Sequence, residues 1–172
     1  SLLANKGQRV SGAKLKTLLR QVALFGFHIS TMDIREHSKR HSMAAAEIIR
    51  VFKFSKIDFE NCSESEKQEL LSKLILGQDK IVGDVSKLTT EETEVFSVFL
   101  AIKEAQQLLG AKCIENYVIS MTTAPSDVLT VQFLASKAGL YSKNDKEVVS
   151  SVNIVPLFET VEDLNSCAEI IE

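Results

Sequence analysis

Apolar residues along this 172-residue chain fall into two kinds of run. Three short segments, 25–34 (FGFHISTMDI), 117–121 (YVISM) and 152–158 (VNIVPLF), are rich in β-branched and aromatic residues and read as strands. The last two are almost continuously apolar, as strands covered on both faces of a parallel sheet tend to be. The first alternates less clearly. Elsewhere the apolar positions recur at helical spacing. Leu15, Leu18, Leu19 and Val22 mark one helix within 10–24, and Met43, Ala46, Ile49 and Val51 mark another within 38–52. Leu70, Leu71, Leu74 and Ile75 form a third stripe. A long fourth helix has Val95, Val98, Phe99, Ile102, Ala105 and Leu109 on its buried side, and a fifth buries Val128, Leu129, Phe133 and Leu134.

Punctuation agrees with this pattern. Ser63-x-x-Glu66 and Thr89-x-x-Glu92 are capping boxes, in which each side chain satisfies a backbone donor of the other residue. Thr160-x-x-Asp163 opens the last helix in the same way. Pro125 sits in a first turn, where its missing donor costs little, and Gly77, Gly110 and Gly139 stand where helices should stop. Asn144-Asp145-Lys146 reads as an exposed loop. Helix, strand, three helices, strand, helix, strand and helix in that order predict an α/β fold, predominantly helical, with about three parallel strands and right-handed crossovers. Three strands cannot close a barrel, so a barrel-derived piece would be an incomplete sheet.

Composition narrows the partners. A net charge of −3 offers no global positive field for nucleic acid or an anionic membrane surface. The longest apolar stretches are broken well short of about 18 positions, so the sequence predicts no membrane span. Cys62, Cys113 and Cys167 are odd in number, far apart and outside any CxxC pairing, which points to reduced thiols in a cytoplasmic setting. The chain opens Ser1-Leu2-Leu3 and closes within an amphipathic pattern at Ile170-Ile171-Glu172, as an internal piece of a longer protein would.

In parallel α/β folds, chemistry collects at the carboxyl ends of strands. Those ends carry Asp33-Ile34-Arg35-Glu36-His37, then Thr122, Thr123 and Ser126, then Glu159-Thr160. A guanidinium, several hydroxyls and a carboxylate on one rim suit a phosphorylated, carboxylate-bearing substrate with a divalent cation. The hydroxyls and the helix amino terminus near Pro125 could also receive anions. Each residue has a plainer reading. Arg35 could be an exposed charge entering a helix, Glu159 could stabilise the first turn of the last helix, and the hydroxyls read most simply as helix caps. His37 and His41 lack a third ligand and any zinc signature, and His28 reads as a hydrogen-bonded core residue.

Four segments resemble the phosphoenolpyruvate carboxylase family, in the family's order and at compatible spacing. Asp33-Ile34-Arg35-Glu36-His37-Ser38-Lys39-Arg40-His41 is similar to D-I-R-Q-E-S-x-R-H, and Ser63-Glu64-Ser65-Glu66-Lys67 to W-S-E-x-x-K. Tyr117-Val118-Ile119-Ser120-Met121 with Pro125-Ser126-Asp127-Val128-Leu129 resembles Y-[VI]-I-S-M-x-x-x-P-S-D-V-L. Val155-Pro156-Leu157-Phe158-Glu159-Thr160 with Asp163-Leu164 resembles [VA]-P-L-F-E-T-x-x-D-L. The whole of 1–172 then reads as one fragment of the family's catalytic domain, a piece of a TIM-type barrel.

The resemblance implies an anaplerotic, cytoplasmic and usually homotetrameric enzyme. It forms oxaloacetate and phosphate from phosphoenolpyruvate and bicarbonate with Mg²⁺, for which Mn²⁺ can substitute. Bicarbonate attacks phosphorus to give carboxyphosphate and the pyruvate enolate, which then takes up CO₂. By position, Glu159 matches the family's metal-binding glutamate and Arg35 the arginine that contacts the substrate's anionic groups. Arg40 and His41 match a frequent pattern without an assigned role. Glu36-His37 departs from the usual Q-E. The family's T-A-H-P-T-E histidine and G-Y-S-D-S metal carboxylate are expected upstream and downstream of this chain, so the chain alone is expected to be inactive. Two other readings compete: a non-enzymatic helical interaction module using an exposed apolar stripe, and a degenerate paralogue. An aldolase-like lyase would need a Schiff-base lysine at a strand end, and none of the three apolar runs holds a lysine.

Overall fold

The computed structural model describes residues 4–7, 12, 14–26, 30–77, 87–143 and 147–171. Its elements are α1 (Lys14–Phe25), β1 (Met32–His37), α2 (Ser38–Val51), α3 (Glu64–Leu76), α4 (Thr90–Leu109), β2 (Ile114–Ser120) and α5 (Pro125–Ala138). The short strands β3 (Tyr141–Lys143) and β4 (Val148–Ser150), then β5 (Asn153–Pro156) and α6 (Val161–Ile171), complete the order. The expected loop at 144–146 and the expected core position of His28 lie outside the described residues.

β1, β2 and β5 pair in that order as a parallel sheet, with Ile34 opposite Tyr117 and Tyr117 opposite Ile154. The sheet is open, in an α/β fragment that is mostly helical, as the alternation of runs predicts. α2, α4 and α5 cover one face. Tyr117 and Ile119 are fully buried there, and the Tyr117 ring stacks on Phe99 of α4 at 4.7 Å. The opposite face is polar toward its amino-terminal end. Asn116 Nδ2 donates to Asp33 Oδ1 at 3.0 Å, and Asn153 Nδ2 donates to Asn116 Oδ1 at 3.2 Å, tying the three strands side by side. The described residues therefore cover β2 and β5 on one face and not on both. Val118 and Val155, which make the two runs look continuously apolar, are only half-buried on the open face.

Packing shifts several of the predicted stripes. The first strand lies several residues later than the run 25–34, so Arg35 belongs to the strand and does not follow it. On α2 the core face is Ala44, Ala45, Ile48 and Ile49, while Met43 is exposed. The two alanines let the helix axis approach its neighbours closely, and a methionine there would be overpacked. On α4, Val95, Phe96, Phe99 and Ile102 are buried, but Leu109 is exposed. The Ser63–Glu66 capping box forms, whereas Thr89 caps α4 without a side-chain hydrogen bond. α5 ends in a left-handed Gly139, φ 82°, with Leu140 N donating to Ala135 O at 2.9 Å, which closes the helix by the Schellman arrangement. The antiparallel β3–β4 pair is absent from the sequence reading, because three-residue strands are too short to show a period.

Two helices keep their apolar faces uncovered. α1 buries none of its residues, and Leu18, Leu19, Val22, Leu24 and Phe25 are all exposed. On α6, Val161, Leu164 and Ile171 are exposed and only Ile170 is buried.

Candidate functional site

Parallel pairing brings the carboxyl ends of β1, β2 and β5 together. Arg35 sits on β1, two residues from its end, on the face left open by the helices. Its Nη2 donates to Glu159 Oε1 at 2.9 Å, across 124 residues of sequence. The guanidinium is 57% exposed and the carboxylate 34% exposed. Such a pair stabilises by at most about 1 kcal/mol, so it opens readily to a ligand. Of the plainer readings, Arg35 is not simply a charge entering a helix, and Glu159 is not engaged with the start of α6. The first turn of α6 is capped instead by Thr160 and Asp163: Asp163 N donates to Thr160 Oγ1 at 3.0 Å, and Asp163 Oδ2 accepts from Thr160 N at 3.2 Å.

The second oxygen of Glu159 is also held. Met121 N donates to Glu159 Oε2 at 2.8 Å from the turn that follows β2. Met121 has φ 56°, a left-handed conformation that costs a non-glycine residue about 1–2 kcal/mol. Its carbonyl accepts from Ser38 Oγ at 2.7 Å. Thr122 N donates to Leu157 O at 3.2 Å and Leu157 N to Ile119 O at 2.9 Å, stitching this turn to the segment leading from β5 to Glu159.

The remaining candidates are structural. Thr122 is buried and donates to Ile119 O, and Thr123 donates from its amide and its hydroxyl to Asp127. Ser126 gives both its amide, at 2.9 Å, and its hydroxyl, at 2.7 Å, to Glu64 of α3. The hydroxyls are therefore not N-caps. The amides of Thr123, Ala124 and Ser126 at the amino terminus of α5 are already taken by two protein carboxylates, Asp127 and Glu64, and are not left for an external anion. Burial alone would raise the pKa of Glu64, but the hydrogen bonds from the Ser126 hydroxyl, Gln68 and the Ser126 amide outweigh it and hold that carboxyl below its ordinary range.

The residues that depart from the family pattern leave the rim. Glu36 lies on the helix-covered side, paired with Arg40, whose other terminal nitrogen reaches Glu94 at 3.5 Å. His37 Nδ1 accepts from Lys39 N at 3.0 Å and so caps α2. His41 is fully buried, hydrogen-bonded through Nε2 to the Tyr117 hydroxyl at 2.8 Å. Its desolvation, reinforced by His37 and Arg40, lowers its pKa to about 4, while burial pushes the Tyr117 hydroxyl up. The two histidines do not converge, and among the described residues no group of three His, Cys, Asp or Glu could enclose a metal ion. Glu159 still fits a hard divalent cation as one ligand. Mg²⁺ is commonly held by one or two carboxylates, with water and substrate oxygens completing its shell. Sequence reasoning missed Ser38 and Met121. Ser38 lies inside the quoted motif, but only a backbone angle reveals the part played by Met121.

The family model described as phosphoenolpyruvate carboxylase matches residues 1–172. A phosphoenolpyruvate carboxylase of Prochlorococcus marinus (strain MIT 9312) is 42% identical over 159 residues, covering 92% of this chain and 16% of that protein. Phosphoenolpyruvate carboxylases of Roseiflexus castenholzii and Nitrosomonas europaea are 34% and 33% identical, each matched by the full chain over 18% of its own length. The chain thus spans about a sixth of the length of the curated relatives it matches. No described helix is long and apolar enough to cross a membrane.

Proposed function

This chain belongs to the phosphoenolpyruvate carboxylase family, and on that premise we propose that the longer protein containing it forms oxaloacetate and phosphate from phosphoenolpyruvate and bicarbonate. The observation that carries the reading is the meeting of Arg35 and Glu159 at 2.9 Å on the open side of parallel strand ends. An isolated arginine or glutamate at a strand end would mean little. One of each, 124 residues apart and brought together by the sheet, gives a cation-holding oxygen beside an anion-holding fork.

The two side chains divide the work. Glu159 Oε1 is the oxygen available to Mg²⁺, or to Mn²⁺ in its place, which supplies Lewis-acid stabilisation of negative charge on the substrate oxygens. Arg35, released from the carboxylate, presents paired N–H donors to the substrate's phosphate or carboxylate. The second carboxylate and the histidine expected of the family come from other parts of the protein, as do the strands that close the sheet into a barrel. In this reading the enzyme is a cytoplasmic homotetramer.

The test is bicarbonate- and Mg²⁺-dependent oxaloacetate formation by the full-length protein, beside its Glu159→Gln variant. We expect activity in the parent and a loss of roughly a thousandfold or more in kcat for the variant. An active parent with a nearly unaffected variant removes Glu159 from the site. A folded but inactive parent removes the activity itself.

A further inference from the structure

Three backbone and side-chain bonds link the strand ends in series. Ser38 Oγ donates to Met121 O at 2.7 Å, Met121 N donates to Glu159 Oε2 at 2.8 Å, and Glu159 Oε1 accepts from Arg35 at 2.9 Å. The series begins and ends near β1, since Ser38 is the first residue of α2 and directly follows the strand that carries Arg35. It passes through the backbone of a residue in an uncommon conformation, with Met121 at φ 56°. A non-glycine residue holds such a conformation only where its surroundings fix it, and such residues cluster at functional sites.

Ser38 is well placed to fix it. It is only 8% exposed, and its hydroxyl is not occupied with capping, because His37 already caps α2. With the Met121 carbonyl anchored by Ser38, the Met121 N–H is aimed at Glu159. That bond orients the carboxylate, with Oε1 the oxygen that can exchange Arg35 for another cation.

We propose that Ser38, acting through the left-handed backbone of Met121, is a positioning residue that holds Glu159 so that Oε1 is offered to a divalent cation. This rests on the reading of Glu159 as a cation ligand. Ser38 acts at a distance, through two hydrogen bonds and the Met121 backbone between them. Partners of this kind commonly govern metal affinity without contributing a ligand.

The experiment is Mn²⁺ titration of the full-length protein without substrate, followed by electron paramagnetic resonance, with steady-state kinetics alongside. Ser38→Ala is expected to weaken Mn²⁺ binding roughly tenfold. It should raise the KM for Mg²⁺ more than it lowers kcat at saturating metal, and Ser38→Thr should restore both. A second pair of variants changes the backbone instead of the hydroxyl. Met121→Gly, which accepts a positive φ freely, should keep parental Mn²⁺ affinity, whereas Met121→Ile, whose β-branch resists it, should weaken binding several-fold. Parental Mn²⁺ affinity in Ser38→Ala, or equal loss in Ser38→Thr, overturns the proposal. If Ser38→Ala does not fold, the Met121 pair decides, and equal affinities in Gly and Ile overturn it. Glu159→Gln separates the two levels: if it leaves Mn²⁺ binding intact, the cation-ligand reading fails and the proposal with it. If it abolishes binding while the Ser38 and Met121 variants do not respond as expected, only the proposal fails.

Discussion

At the scale of single residues, the buried His41 shows how a polar side chain inside the core couples stability to pH. Its Nε2 meets the Tyr117 hydroxyl, its Nδ1 has no partner among the described residues, and its ring packs edge-on to Phe99. Its folded pKa of about 4 lies below the ordinary histidine value, so the unfolded chain takes up a proton more readily. Stability contributed by the neutral ring is therefore complete above about pH 6.5 and declines as pH falls toward 4, by on the order of 2–3 kcal/mol. The cationic Arg40 opposes the charge the ring would acquire, and His37 acts in the same direction. Thermal unfolding of the full-length protein between pH 7 and 4.5 should show this loss. His41→Gln, which can bond Tyr117 without titrating, should flatten the profile. An unchanged pH dependence in the variant would assign the acid sensitivity to other groups.

At the scale of elements, the bond between α3 and α5 matters more to the site than its distance from the rim suggests. α5 starts four residues after Met121, and the intervening turn is held by Asp127, which accepts from the amides of Thr123 and Ala124. Glu64 holds Ser126, two residues beyond Ala124, through both amide and hydroxyl. Glu64→Ala leaves the Ser126 amide without its partner and should destabilise by roughly 1–3 kcal/mol, measurable by urea denaturation. The folded pKa of Glu64 is lowered, so its contribution is present above the unfolded carboxylate pKa and lost as pH falls through the folded value. Glu64→Gln keeps the shape but not the charge, and should recover part of the loss. Equal stability in parent and Glu64→Ala would mean that packing alone seats α5.

At the scale of the whole molecule, what is left uncovered is as informative as the core. Leu19 at 63% and Leu24 at 68% exposed on α1, and Val161 at 69% on α6, form apolar surface unlike that of an isolated globular domain. Among the described residues β1 and β5 are the outer strands of the parallel sheet, and outer strands offer their edges for pairing. The 172-residue chain produced alone should therefore self-associate in light-scattering measurements and, on the proposed reading of Glu159 as one of two metal carboxylates, form no oxaloacetate in a coupled assay. A monodisperse monomer, or steady turnover by that chain, would contradict this.

The periodicity, the Ser63–Glu66 and Thr160–Asp163 caps and the Gly110 and Gly139 stops located most helices and two of the strands, because these are local signals set by neighbours in the chain. Arg35 and Glu159 were legible as candidates because strand-end chemistry and a family pattern both mark them. Local pattern could not decide between Met43 and Ala44 on α2, since that depends on how closely the helix approaches the sheet. It could not show the short β3–β4 pair, or that Val118 and Val155 face an open side. Nor could it tell that Ser126 serves Glu64 while Ser38 serves Met121. Those partners lie 62 and 83 residues away, and only the packing of α3 on α5 and of β1 beside β2 brings them within bonding distance. The sequence by itself determined which residues could carry charge and which segments would be helix or strand, since both follow from side-chain chemistry and short-range periodicity. Tertiary structure alone decided which oxygen of Glu159 meets the Met121 amide and which meets Arg35, because that choice rests on the direction of one peptide N–H.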